Sequence, residues 1–243
     1  MSSKITRYPF LKVLEELGQL GQTLTLVGGW VPTVYFEYLW KNQNNPFVTQ
    51  DVDFALTKDI HWNGLMENLI NQKHFKHRHL VLGKEQPYQL LLQNIPIDFL
   101  ADAKEAEYIQ KNILGKGILL NATTGYQFLL KEKIPVTCDG FNFYIPQPTR
   151  YILHKMSVGL DNVLIRAHDI ATAYYVWTRS PEQTEIFTEI KKLREDPIYK
   201  QLRKKLKIEL VKSFIIEKIC ALFREVGIYE EPDDIKLELA RLL

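Results

Sequence analysis

The sequence has few cysteines, no strong excess of charge of either sign and no long apolar run. Cys138 and Cys220 are its two cysteines among 243 residues. They are too few and too far apart to cross-link a fold of this size or to build a zinc site. We therefore expect two free thiols in a reducing compartment.

The absence of long apolar runs argues against a membrane protein. No stretch approaches the roughly 18 apolar residues that a membrane-spanning helix needs. The first ten residues, MSSKITRYPF, lack the apolar segment and the small-residue cleavage site of a secretory signal. We expect a cytoplasmic protein that has no membrane partner.

The charge balance is equally uninformative about partners. Lys and Arg number 31 against 29 Asp and Glu, so the formal net charge is +2. No overall field therefore favours nucleic acid or an anionic surface, although a local basic patch is compatible with this balance. With 46% hydrophobic and 25% charged residues, the composition is that of an ordinary globular protein of one large or two modest domains.

Hydrophobic periodicity predicts helices and strands in alternation over the first 147 residues. A double glycine, Gly28-Gly29, separates the first strand from the helix that follows it. Asp139-Gly140 predicts the turn of a later hairpin. The predicted elements are a helix over 8–21, a strand over 23–27, a helix over 30–40, a strand over 49–56, a helix over 58–72, strands over 79–83, 88–92 and 95–100, and hairpin strands over 134–138 and 141–146.

The pattern changes after Pro146 and Pro148. Residues 148–243 are typical of helices almost throughout, in contrast to the mixed pattern over 1–147. The sequence therefore predicts an α+β protein whose amino-terminal domain, 1–147, is followed by an all-helical carboxy-terminal domain, 148–243.

Three aspartates lie in apolar predicted strands. Asp51 and Asp53 in TQDVDFAL are two residues apart, so their side chains point to one face, about 6–7 Å apart along the strand. Asp98 in IPIDFL lies in another apolar strand. If the strands are neighbours, three carboxylates share one site and repel each other unless divalent cations neutralise them. Oxygen ligands alone favour magnesium or manganese over zinc.

The glycine pair is consistent with a phosphate-bearing substrate. Magnesium and manganese are commonly bound through carboxylates together with substrate phosphates, which indicates a nucleoside triphosphate. A strand that turns through Gly28 and Gly29 into a helix lets backbone N–H groups approach a phosphate. Taken singly, each feature has an ordinary explanation: aspartates at strand ends cap loops or pair with arginine, and glycine pairs occur in many turns. The combination favours a functional site.

These motifs resemble those of a known superfamily. VGGW, TQDVDF and IPIDF, which together span about residues 24–100, are similar to the signature of the nucleotidyltransferases related to DNA polymerase beta. Within that superfamily the chain looks most similar to the bacterial group of AbiE-type toxin nucleotidyltransferases and small aminoglycoside and lincosamide nucleotidyltransferases. The resemblance implies a mixed β-sheet flanked by helices.

The resemblance also implies a two-metal mechanism. Asp51 and Asp53 would hold the magnesium (or manganese) ion that the triphosphate carries. With Asp98 they would share a second ion, which lowers the pKa of an acceptor hydroxyl. Asp98 is alternatively a general base. These three aspartates are thus the predicted catalytic and metal-binding residues.

The implied nucleotide-binding residues are Gly28, Gly29, Thr49 and Lys155. Lys155 belongs to the stretch HKMSVGLDNVLIRAHDIATA, which also offers Arg166 and Asp169 in the order found in the toxin-like group. Two simpler interpretations remain open here. Lys155 could be a solvated helix lysine, and Arg166 and Asp169 could form an ion pair on a helix surface.

Three positions depart from the family pattern. Trp30 follows the glycines where the family often has a small hydroxyl residue. Phe47 stands two positions before the threonine of the acid motif, where a basic residue is common, and Thr172 replaces a second helical acid. These departures concern triphosphate affinity or substrate identity and not the fold.

The sequence therefore predicts a metal-dependent nucleotidyltransferase. It would move a nucleoside monophosphate from a nucleoside triphosphate to an acceptor that is RNA, such as transfer RNA, a protein or a small molecule. A toxin with an antitoxin partner is one form that this activity takes in the group it resembles. The alternative is a catalytically inactive protein of the same fold that binds nucleotides or regulates a partner.

Overall fold

The computed structural model describes residues 8–42, 44–47, 49–60, 75–79, 88–114 and 118–242. The chain forms two compact units. The first comprises Met1–Leu39 and Val48–Pro146, and the second comprises Trp40–Phe47 and Gln147–Leu243. Each unit is described by itself below.

The described strands of the first unit form a single sheet. Its strand order is β3-β4-β5-β2-β1-β8-β7, and β6 also pairs with β5. The strands are β1 (Thr25–Val27), β2 (Val52–Ala55), β3 (Phe75–His79), β4 (Tyr88–Leu92), β5 (Ile95–Asp102), β6 (Leu120–Thr123), β7 (Lys133–Cys138) and β8 (Phe141–Pro146).

The sheet is mixed, and its centre consists of strands that the sequence predicts as apolar. β2 runs parallel to β5 and antiparallel to β1, while β8 runs parallel to β1. Val52, Phe54, Ile97 and Phe99 are almost completely buried, as expected of strands covered on their apolar side. Together with the helices that flank it, this sheet confirms the predicted α+β class.

Short helices accompany the sheet of the first unit. The predicted helix over 8–21 ends as an α-helix at Leu17 and continues as a 3₁₀ helix, because Gly18 adopts a φ of 56°. The helical elements are α1 (Pro9–Leu17), a 3₁₀ helix (Gly18–Thr23), a 3₁₀ turn (Gly28–Trp30), α2 (Val31–Thr33), a π-helical turn (Val34–Leu39), α3 (Ala106–Ile109), a second π-helical turn (Gln110–Leu114) and α4 (Tyr126–Leu130).

Several local predictions can be compared with these elements. The β7–β8 hairpin is confirmed, and its turn has positive φ at both central residues, 50° at Asp139 and 91° at Gly140. Most of the predicted helix over 58–72, and most of the predicted strand over 79–83, lie outside the described residues.

Among its described residues the second unit has six helices over 148–241 and no strand, while the described residues of Trp40–Phe47 are not helical. Tyr174, Tyr175 and Trp177 are buried in its core. The uninterrupted helical pattern over 198–227 forms two helices, since Ser213 adopts a left-handed conformation with φ of 59°. The helices are α5 (Pro148–Asp161), α6 (Val163–Arg179), α7 (Gln183–Lys192), α8 (Pro197–Lys212), α9 (Phe214–Glu225) and α10 (Pro232–Arg241).

The two cysteines are free, as predicted, and both are buried. Burial raises the pKa of the Cys138 thiol to about 12, so this thiol stays protonated at neutral pH. Among the described residues, no helix combines the length and the apolar character needed to cross a bilayer.

Helices α5 and α6 approach each other closely at Gly159. A Cβ atom added to Gly159 would overlap Cγ1 of Ile170 and would lie 3.1 Å from its Cδ1 and 3.2 Å from the carbonyl oxygen of Arg166. Glycine is therefore required here by packing rather than by backbone conformation.

We expect Gly159→Ala to lower the free energy of unfolding by about 1–3 kcal/mol, because the added methyl overpacks the helix contact. This loss would occur although alanine is the better helix former by about 1 kcal/mol. Urea unfolding of Gly159→Ala, Ile170→Ala and the double variant measures the coupling, and the loss should shrink where Ile170 is shortened. Ser157→Ala on the same helix is the control, and a stabilised Gly159→Ala would contradict the close approach.

Candidate metal centre

The pairing of β2 with β5 brings the predicted acids together. In this parallel register Asp53 lies directly opposite Asp98, and Asp51 lies immediately before β2, which begins at Val52. One carboxylate oxygen from each of the three aspartates lies within 4.8 Å of the others, and all three residues are half-buried. The structure thus assembles the three acids that the sequence singled out, although Asp51 precedes the strand rather than lying in it.

Gly28 is required by the close approach of Asp53. Val27 at the end of β1 pairs with Asp53, so the next residue turns directly beside its carboxylate. Gly28 has a φ of +73°, and a Cβ atom at this position would overlap Oδ2 of Asp53 and lie 2.7 Å from its Cγ. Both the backbone conformation and the space therefore demand glycine.

Gly29 makes room for Thr49 in the same way. A Cβ atom on Gly29 would lie 2.8 Å from Cγ2 and 2.9 Å from Cβ of Thr49. With its methyl group against Gly29, Thr49 donates a hydrogen bond from its hydroxyl to Oδ1 of Asp51. Thr49, predicted to bind nucleotide, thus contacts one of the acids.

Two further side chains hold the acids. The indole N–H of Trp30 donates to the backbone carbonyl of Asp51 over 2.9 Å. The side-chain amide of Gln89 donates to Oδ1 of Asp98 over 2.7 Å. Sequence reasoning did not identify Gln89. The available signal was a lone amide in the apolar strand YQLLL, which directly precedes IPIDFL.

The donor set of this cluster fits a hard divalent cation. Three carboxylates with oxygen atoms within 4.8 Å of one another repel each other, and a cation among them removes that repulsion. Carboxylate oxygens are the ligands of magnesium, manganese and calcium, whereas structural zinc sites are usually built from cysteine and histidine. The arrangement can therefore hold a divalent ion, and we call Asp51, Asp53 and Asp98 the acid triad.

Lys155 belongs to the second unit and is neither free nor solvated. Its ammonium group lies 2.5 Å from Oδ1 of Asp169, and its side chain is 16% exposed. Arg166 contacts the other oxygen of Asp169 over 2.8 Å. The predicted i, i+3 pairing of Arg166 with Asp169 is present, but Asp169 is buried rather than on a helix surface.

The electrostatics of Asp169 follow from these neighbours. Burial by itself raises the pKa of the Asp169 carboxyl, but the nearby cations, first Lys155, outweigh burial and hold the pKa below its ordinary value. Asp169 is therefore ionised at neutral pH and fixes both Lys155 and Arg166.

The three departures from the family pattern each have a local role. Trp30 supports Asp51, as described above. In the second unit, the ring of Phe47 packs against Tyr175 and Phe223, with ring centroids 5.6 and 5.9 Å apart. Thr172 donates its hydroxyl hydrogen to the backbone carbonyl of His168, one turn earlier. These residues are part of the packing and hydrogen bonding of the fold.

No protein-family model matches the chain, and no curated protein matches it. A solved structure, described as an antigenic nucleotidyltransferase-like protein from Paracoccidioides brasiliensis, resembles it with a TM-score of 0.41 and 14% sequence identity. The match covers 79% of this chain and 89% of that chain. A likeness this weak does not establish a family.

We expect Gly28→Ala to weaken Mn²⁺ binding to the acid triad at least about tenfold, because the new methyl group displaces the carboxylate of Asp53. It should also cost about 1–3 kcal/mol of stability through backbone strain. Electron paramagnetic resonance of free Mn²⁺ measures the binding.

Gly140→Ala is the matched control for this experiment. Gly140 has a φ of +91°, but a Cβ atom there meets nothing within 4 Å. We expect Gly140→Ala to lose stability through backbone strain but to bind Mn²⁺ with the affinity of the wild type. Equal metal affinities in the two variants would contradict the role given to Gly28.

A second prediction concerns His154 on α5. Burial, followed by the charge of Lys155, lowers the pKa of this imidazole from 6.5 to about 4. Unfolding therefore takes up a proton between these two pH values. The contribution of His154 to the free energy of unfolding is fully present above pH 6.5 and is lost as the pH falls toward 4.

We expect His154→Gln to reduce the loss of stability across this interval by on the order of 2–3 kcal/mol. Urea unfolding of both proteins at a series of pH values measures the difference. His168→Gln, at a side chain that is 61% exposed, serves as the control. Parallel stability curves for wild type and His154→Gln would show that the imidazole does not titrate in this way.

Proposed function

We propose that the protein is a metal-dependent nucleotidyltransferase that uses Mg²⁺ or Mn²⁺. The observation that carries this proposal is the acid triad, formed by Asp51 just before β2, Asp53 on β2 and Asp98 on β5, with carboxylate oxygens within 4.8 Å of one another, beside a glycine turn. The resemblance of VGGW, TQDVDF and IPIDF to the nucleotidyltransferase signature supports it, as does their meeting at one place in the first unit. Within this class, we propose that the protein is most similar to the AbiE-like subgroup.

The reaction joins an acceptor hydroxyl to the alpha phosphorus of a nucleoside triphosphate. The new bond forms between the acceptor oxygen and phosphorus, the bond from phosphorus to pyrophosphate breaks, and the hydroxyl proton leaves to a base. Bound divalent ions would neutralise the phosphate charge and lower the pKa of the acceptor hydroxyl. Asp51, Asp53 and Asp98 would hold those ions, and Asp98 would also be the group that takes the proton.

The glycine turn is the further part of the proposed nucleotide site in the first unit. The backbone N–H groups of Gly28 and Gly29 approach the triphosphate, because no side chain at either position stands in the way. Thr49 acts through its hydrogen bond to Asp51. Lys155 is proposed as a nucleotide-binding residue from the sequence resemblance alone, and its ammonium group is held by Asp169.

The acceptor in this proposal carries a hydroxyl group, as RNA, a protein side chain or a small molecule does. A toxin activity in the cytoplasm would pair the protein with an antitoxin. The rival function is a nucleotide-binding module without catalysis. Trp30 is the feature that motivates this rival, since it occupies the position of a small hydroxyl residue and directs its indole N–H to the backbone of Asp51.

The test is transfer of an alpha-phosphate label. Wild-type protein is incubated with each labelled nucleoside triphosphate, Mg²⁺ and a cell extract that supplies acceptors. We expect Asp51→Asn to reduce transfer about a thousandfold, because loss of a metal ligand removes several kcal/mol of transition-state stabilisation. Asp59→Asn, at an exposed acid after β2, is the matched control and should keep full transfer.

The fraction that receives the label identifies the acceptor class. Label in RNA, protein or small molecules for wild type and Asp59→Asn, but not for Asp51→Asn, supports the proposal. Binding of nucleotide that is independent of metal and unaffected by Asp51→Asn, without any transfer, would instead favour the non-catalytic module.

A further inference from the structure

We propose that Gln89 is a positioning residue for the metal centre, which holds Asp98 so that the acid triad prefers Mg²⁺ and Mn²⁺ over Ca²⁺. This inference rests on the metal site of the proposed function. It concerns a residue that belongs to none of the three motifs: Gln89 lies on β4, which is next to β5 and is separated from β2 by β5.

The sheet places Gln89 beside Asp98. β4 and β5 are antiparallel, with Leu90 opposite Ile97, so the next pair in the same register is Gln89 and Asp98. On the other side of β5, Asp53 lies opposite Asp98. Asp98 therefore stands between a carboxylate on β2 and an amide on β4.

The contact is a strong hydrogen bond in a protected position. The amide nitrogen of Gln89 lies 2.7 Å from Oδ1 of Asp98, and Gln89 is 9% exposed. A bond from an amide to a carboxylate is charge-assisted and fixes the rotation of the carboxylate group. Little solvent competes for the amide, so this orientation is maintained in the folded protein.

The neutrality of the amide is what suits a metal site. A lysine or arginine at this position would neutralise Asp98 and compete with a cation for it. Glutamine fixes the same carboxylate without adding positive charge.

A second acid is also fixed by a hydrogen bond from a neutral donor. The hydroxyl of Thr49, also neutral, donates to Oδ1 of Asp51. Two of the three carboxylates are thus each fixed through one oxygen. A carboxylate whose rotation is fixed by a donor on one oxygen turns its other oxygen in a set direction, which favours coordination through that single oxygen.

Coordination through a single oxygen of each carboxylate suits Mg²⁺ and Mn²⁺ better than Ca²⁺. Mg²⁺ requires a near-ideal octahedron and takes one oxygen from each of a few carboxylates, while Ca²⁺ accepts six to eight ligands and often takes both oxygens of a carboxylate. Fixing Asp98 should therefore favour the smaller ions. Residues that orient metal ligands typically contribute about 10- to 100-fold to metal affinity.

The experiment measures ion binding without nucleotide. Mn²⁺ affinity is obtained from electron paramagnetic resonance and Ca²⁺ affinity from competition, for wild type, Gln89→Leu and Gln89→Met. The methionine variant keeps the length of the side chain, and thermal unfolding of both variants verifies the fold. Gln127→Leu is the matched control, because this exposed glutamine also donates to a carboxylate, that of Glu105, over 3.5 Å.

We expect Mn²⁺ affinity to fall about tenfold or more in the Gln89 variants, while Ca²⁺ affinity falls less, so that the preference for Mn²⁺ decreases. Gln127→Leu should match wild type. Unchanged Mn²⁺ affinity, equal losses for both ions, or a wild-type protein that binds no Mn²⁺ would each overturn the inference. Equal losses are the result that a purely structural role of Gln89 would give.

The transfer assay on the same proteins separates this inference from the proposed function. Ion preference that depends on Gln89, in a wild-type protein that transfers no nucleotide, supports the inference and counts against the enzyme. Transfer by wild type with Gln89 variants of normal ion preference supports the enzyme and overturns the inference.

Discussion

The mutual repulsion of three carboxylates is the constraint on which the arrangement of the first unit depends. Asp51, Asp53 and Asp98 bring one oxygen each within 4.8 Å of the others, and like charges at such distances oppose one another. The parallel pairing of β2 with β5 fixes this proximity, because a shift of one residue would turn Asp98 to the opposite face. The protein thus maintains a concentrated negative charge whose natural complement is a divalent cation.

The residues around the triad give it space and orientation without cancelling its charge. Gly28 lets the chain turn against Asp53, and Thr49, Trp30 and Gln89 donate hydrogen bonds to Asp51 and Asp98. The donors are a hydroxyl, an indole and an amide, which are all neutral. In the second unit the opposite solution is found at Asp169, where burial is compensated by the cations of Lys155 and Arg166. The aspartate of the second unit is paired with cations, whereas the donors described here at the triad are neutral.

Two positions that differ from the pattern of the superfamily that the motifs resemble have local roles in the structure. Trp30 replaces a hydroxyl residue and reaches the backbone of Asp51. Phe47 replaces a basic residue and joins the aromatic core of the second unit beside Tyr175 and Phe223. Such substitutions cost little where the new side chain finds apolar surface or a carbonyl acceptor. Their effect on nucleotide affinity is a question of chemistry at the site and not of stability.

Short-range patterns determined much of this protein from the sequence alone. Alternating apolar residues defined β1, β2, β5 and the β7–β8 hairpin, and the spacing of acids in TQDVDF and IPIDF identified the triad, because side-chain direction in a strand follows from the two-residue period. Only the tertiary structure decided which strands are neighbours, and hence that Gln89 on β4 reaches Asp98 and that Gly28 faces Asp53. It also decided that Asp169 is buried and that Ser213 divides a long helical pattern in two. Strand register, burial and close approach depend on contacts between residues that are distant in sequence. Local periodicity carries no information about such contacts.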